Sequence, residues 1–129
     1  MTIDIVLVES PPAVCGPLSA RLALEPDLRV VGESDDGPTA VQLVKTLAPD
    51  VVLLDAEVPQ LEVLNAVRAI HQQSQATAVV VLTLHASAMQ RLLGADPALV
   101  VGKHEGVAAM LEAIRRAAAQ APPPGEEET

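Results

Sequence analysis

The chain contains no phenylalanine, tyrosine or tryptophan. This absence excludes aromatic stacking on bases, sugars or flavin rings as a binding mode. Any core must be built from Leu, Val, Ile and Ala. Half of the 129 residues are apolar, which suffices for one domain. Cys15 is the single cysteine, so no intramolecular disulfide can form. Positive charge is also scarce: 8 Lys and Arg stand against 17 Asp and Glu, a net charge of −9. The domain therefore offers no basic patch from which nucleic-acid binding would release counterions. Anionic membrane surfaces would repel it. The acidity reads as a solubility device, or as a pocket that concentrates a cation. The longest apolar runs are about six residues, far below the ~20 that span a bilayer. No stretch near the start combines basic residues, an apolar run and a cleavage site. A cytoplasmic location is expected, with no membrane partner.

What is present is an alternation of two patterns. Short β-branched or leucine-rich runs occur at Ile3–Val8 (IDIVLV), Val30-Val31, Val51–Leu54 (VVLL), Ala78–Leu82 (AVVVL) and Leu99–Val101 (LVV). Nearly continuous apolar runs of this length suit strands buried on both faces of a parallel sheet. Between them lie segments with helical spacing. Val14, Leu18, Leu22 and Leu24 mark the first. Ala40, Val41, Leu43, Val44 and Leu47 mark the second. Leu64, Val67, Ala69 and Ile70 mark the third. Met89, Leu92 and Leu93 mark a short fourth, and Val107, Met110, Leu111, Ile114 and Ala118 the last. Pro11 and Pro12 sit where a first helical turn tolerates proline. Asp36-Gly37-Pro38 opens the second helix and Pro49 closes it. The prediction is an α/β fold, a doubly wound parallel sheet of five strands with five helices on both faces. Residues 1–120 form this domain. Residues 121–129, APPPGEEET, read as an extended tail or the start of a linker.

Ligands of open α/β sheets bind beyond the carboxyl ends of the strands. Polar residues collect there: Glu9-Ser10 after the first strand, Asp55 and Glu57 after the third, Thr83 after the fourth, and Gly102-Lys103 after the fifth. This set has a chemical logic. A carboxylate can attack a phosphoryl group and form an acyl phosphate. The incoming group is anionic, so positive charge must offset the repulsion. Mg²⁺ held by carboxylates supplies most of it, and a lysine supplies more. A hydroxyl one strand away can then bond the new phosphoryl oxygen, turning a charge change into movement.

At these residues the sequence resembles the receiver domains of bacterial two-component response regulators. The stretches that carry the resemblance are IDIVLVES, EPDLRVVGESDDG, PDVVLLDAEVP, AVVVLT, GK and MLEAIRRAAA. They cover roughly residues 3–119. RVVGESDDG looks most like receivers joined to helix-turn-helix DNA-binding domains, and hence to transcription regulation. The resemblance implies a flavodoxin-like fold with strand order 2-1-3-4-5. It implies Asp55 as phospho-acceptor, Thr83 as switch hydroxyl and Lys103 as the lysine that meets the phosphoryl group. It further implies a histidine kinase as phosphoryl donor, no enzymatic turnover of its own, and a Mg²⁺ site. That metal site would use Glu9, Asp55 and Glu57. A homodimer through the first or last helix is also expected.

The sequence departs from the family at several points. Ser10 stands where a second acidic residue usually ligates the metal, so one hard anionic ligand is lost and the Mg²⁺ site should be weak. Glu57 could replace the missing charge or block the site. The switch aromatic expected near Val100 is absent. The fourth helix is short, and His104 follows Lys103 where many relatives have proline. These departures support a second reading, a phosphorylation-independent interaction module. A third reading rests on Cys15-Gly-Pro-Leu-Ser-Ala-Arg21, which matches the C-x5-R spacing of small cysteine phosphatases, with Asp96-Pro97 similar to a general-acid loop. Against it, Cys15 is expected inside a helix, and Leu22 replaces the hydroxyl that should follow the arginine. His71, His85 and His104 lack metal-ligand spacing.

Overall fold

The computed structural model describes residues 2–9 and 12–120, with the side chains of residues 12–17 outside the description. The elements alternate throughout. They are β1 (Ile3–Val8), α1 (Pro12–Ala23), β2 (Leu28–Ser34), α2 (Gly37–Leu47), β3 (Val51–Asp55), α3 (Val63–Gln73), β4 (Ala78–Thr83), α4 (Ala86–Leu93), β5 (Leu99–Gly102) and α5 (Val107–Gln120). A single 3-10 turn, Lys103–Glu105, joins β5 to α5. All strand pairs are parallel, and the order is β2-β1-β3-β4-β5. The expected doubly wound fold is therefore present. The second strand is longer than its Val30-Val31 centre suggests, because pairing with β1 draws in the polar flanks Arg29 and Glu33.

Strand alternation assigns each apolar residue to one of two cores. Ile5, Leu7, Val51, Leu53, Val80 and Leu82 face α1 and α5, meeting Leu22, Met110, Leu111 and Ile114. Val6, Val8, Val52, Leu54, Val79 and Val81 face the other way, against Val44, Val67, Ile70 and Leu93 of α2, α3 and α4. Branched aliphatic side chains fill both layers without any ring. Each fully buried Leu, Ile or Val contributes about 1.5–3 kcal/mol by leaving water.

Helix boundaries have local causes. Asp36 caps α2, its Oδ1 accepting the Thr39 N–H at 2.7 Å, and a proline follows in the first turn. Ala48 ends that helix in the left-handed region, with φ 45°. α4 has only eight residues and buries Leu93 alone, leaving Leu84 just before it and Leu92 within it exposed. No helix among the described residues is long and apolar enough to cross a membrane.

Candidate functional site

A parallel sheet brings all strand carboxyl ends to one edge. β3 lies between β1 and β4, so the ends of these three strands, and then β5, stand side by side. Val8 is in register with Leu54, which places Glu9 and Asp55 as the next residues on adjacent strands. Asp55 pairs in register with Leu82, and Thr83 with Gly102. The register therefore gathers Glu9, Asp55, Thr83 and Lys103 at one edge.

The side chains complete the arrangement. Lys103 Nζ lies 2.8 Å from Asp55 Oδ1 and 3.2 Å from Glu57 Oε1. Asp55 is 13% exposed and Lys103 31%. Asp55 Oδ1 also accepts the Glu57 N–H at 2.9 Å, which fixes the turn after β3. Burial pulls the Lys103 ammonium towards a lower pKa. Hydrogen bonding and charge attraction from Asp55, then Glu57, outweigh it, and the pKa is raised. Lys103 is thus held charged where an anion would arrive.

Thr83 is buried, and its hydroxyl has two partners. It donates to Glu57 Oε2 at 3.3 Å and accepts the His85 N–H at 3.0 Å. Glu57 Oε1 also accepts the Leu84 N–H at 3.0 Å. Glu57 therefore bridges the ends of β3, β4 and β5. Glu9 is buried at 4% exposure, and its N–H donates to the Ser34 carbonyl at 2.9 Å. Among the described residues, no three His, Cys, Asp or Glu side chains form a group able to hold a metal ion. Glu9, Asp55 and Glu57 therefore do not converge as three ligands, because Glu57 is turned towards Lys103, Thr83 and Leu84. Ser10 lies outside the described residues.

One contributor escaped the sequence reading. Glu105 Oε2 accepts the Gly102 N–H at 2.7 Å and ties the turn that carries Lys103 back to β5. The available signal was a glutamate three residues after the strand's last glycine, the spacing of a capping box. A Cβ at Gly102 would stand 2.6 Å from His104 Cε1 and 3.0 Å from Glu105 Oε2, so a side chain there would make these two exposed side chains shift. Val100 is partly buried and packs on the core of α2, α3 and α4.

The C-x5-R motif does not form a phosphate loop. Cys15 falls within α1, and Arg21, in its last turn, pairs with Glu25 at 2.9 Å. Asp96 is paired with Arg68 at 3.2 Å. This geometry does not favour the phosphatase reading.

Residues 5–115 match the response regulator receiver domain family. The response regulator GacA of Pseudomonas aeruginosa is 32% identical over 116 residues, covering 88% of this chain and 54% of that protein. A protein-glutamate methylesterase/protein-glutamine glutaminase of Myxococcus xanthus is 40% identical over 79 residues, 61% of this chain and 22% of that protein. Among solved structures, a LuxR-family two-component response regulator from Aurantimonas sp. SI85-9A1 superposes with a TM-score of 0.84 at 28% identity, over 92% of this chain and 86% of that one. The chain spans from about a fifth to about half the length of these curated relatives. With the strand order and the edge cluster already in place, the match over residues 5–115 is decisive: this chain belongs to the receiver domains of response regulators.

Proposed function

We propose that this receiver takes a phosphoryl group on Asp55 from a histidine kinase and passes the change in charge to an output partner through β4, α4 and β5. The observation that carries the reading is the Lys103 ammonium 2.8 Å from Asp55 Oδ1. It stands at a strand edge where a hydroxyl and a second carboxylate also meet. An Asp55 carboxylate oxygen attacks the phosphorus of a phosphohistidine. The P–N bond breaks, its electron pair returns to the imidazole, and an acyl phosphate remains on Asp55. With acetyl phosphate as donor, the P–O bond breaks and acetate leaves.

Lys103 offsets the charge on the phosphoryl oxygens throughout. Thr83 provides a hydroxyl on the neighbouring strand. Mg²⁺ commonly binds through one or two carboxylates with water and phosphate oxygens completing its shell. The buried Glu9 carboxylate and Asp55, on adjacent strand ends, suit that chemistry and would hold it. When bound, the ion neutralises charge on the transferring group. Because serine follows Glu9 in the sequence where the family usually has a second acid, the pair should bind Mg²⁺ weakly. Output through a DNA-binding partner domain is the reading that the resemblance to LuxR-family regulators supports.

The test is incubation with acetyl phosphate and Mg²⁺, followed by intact mass. Wild type should gain one phosphoryl group and Asp55→Asn none. No adduct on wild type at high Mg²⁺, or an adduct retained in Asp55→Asn, refutes the proposal.

A further inference from the structure

The geometry points to Glu57 as an internal stand-in for the phosphoryl group, whose carboxylate must leave its place before Asp55 can be modified. This rests on the reading of Asp55 as phospho-acceptor. Three donors of different kinds converge on Glu57: the Lys103 ammonium at 3.2 Å, the Leu84 N–H at 3.0 Å and the Thr83 hydroxyl at 3.3 Å. An ammonium, a backbone N–H and a hydroxyl together make an anion site. The same ammonium is 2.8 Å from Asp55, so the site lies within reach of oxygens carried on Asp55.

Charge decides the rest. Lys103 already serves two carboxylates, Asp55 and Glu57. A phosphoryl group adds about −1.5 to −2 in charge. It and the Glu57 carboxylate would then draw on one ammonium at close quarters, where like charges repel strongly. The hydroxyl of Thr83 has no second proton to offer, since its other bond accepts from the His85 N–H. Occupancy by Glu57 and occupancy by a phosphoryl group are therefore alternatives. Two consequences follow. Glu57 slows phosphorylation by competing for Lys103. It also holds Leu84 and Thr83, the entrance to α4, in an anion-bound arrangement before any phosphoryl group arrives.

The experiment compares wild type, Glu57→Ala and Glu57→Gln. Acetyl-phosphate labelling is followed by intact mass, and the Leu84 and His85 amides by NMR, with and without Mg²⁺ and beryllofluoride. Glu57→Ala should be labelled about tenfold faster, given that Glu57 is partly exposed and its competition partly screened. Glu57→Gln, which keeps the shape and loses the charge, should also exceed wild type. The Leu84 amide should move upfield in Glu57→Ala and return on adding beryllofluoride, while in wild type beryllofluoride moves it little. Labelling of wild type at a rate that neither substitution raises overturns the stand-in role alone. A Leu84 amide unmoved by Glu57→Ala does the same. No adduct in any of the three proteins overturns the phospho-acceptor reading and this inference with it.

Discussion

Replacing Lys103 by methionine removes the ammonium while keeping most of the apolar stem. Asp55 and Glu57 then lose the cation at 2.8 and 3.2 Å. Exposed ion pairs contribute about 0.2–1 kcal/mol, whereas breaking a fully buried pair costs about 3–5 kcal/mol. Asp55 is 13% exposed and Lys103 31%, between these limits. Allowing for solvent screening of the exposed part, the cost should be about 1–2 kcal/mol. For a chain of this length that lowers Tm by about 4–8 °C. The pH dependence has a fixed sign. The folded lysine pKa is raised, so its contribution is whole below the unfolded value near about 10.4 and is lost as pH rises through the higher folded value. The stability gap between wild type and Lys103→Met should thus be constant through neutral pH and close only in strong alkali. Acetyl-phosphate labelling should fall about 100-fold, as for loss of one preorganised donor at a developing charge. Urea unfolding at pH 7 and above pH 10, with labelling kinetics, checks all three. A variant as stable as wild type at pH 7 would refute the reasoning, because desolvation of the three charges would then cancel their attraction.

Three further outcomes follow from the structure. Ile114→Ala, at a fully buried position on α5 in the core against the sheet, should lower unfolding free energy by about 2–5 kcal/mol in urea titration. Thr77→Val removes a buried hydroxyl that donates to the Pro49 carbonyl at 2.8 Å, and should cost about 1–3 kcal/mol by the same measurement. Arg115 clamps the loop after α1, donating to Asp27 through Nε and Nη2 at 2.8 Å and to Glu25 at 2.7 Å. Its hydrogen bonds, with Arg21 also serving Glu25, lower the pKa of both carboxylates. Their contribution is present above the unfolded values near about 4 and is lost as pH falls through the folded ones. Thermal melts should therefore show stability declining below about pH 4, with the decline shallower in Arg115→Gln.

The sequence by itself determined the fold and the address of the site. VVLL and AVVVL are apolar throughout, as suits strands buried on both faces, and their alternation with helical segments points to a parallel sheet covered by helices on two faces. The strand ends Glu9, Asp55, Thr83 and Lys103 follow from that topology, since every parallel strand finishes at the same edge. Residues whose role depends on side-chain direction were not legible. Glu57 read equally as a metal ligand or an obstruction, because its partners Thr83, Leu84 and Lys103 come from strands 26 or more positions away in the chain. It turns towards three donors that meet only once β3, β4 and β5 lie side by side, which spacing does not record. Glu105 was hidden for a related reason: a surface-looking glutamate becomes a tether only when the 3-10 turn folds it back onto Gly102. The sequence placed the acid, the hydroxyl and the cation at one edge, and tertiary structure decided which carboxylate holds the donors.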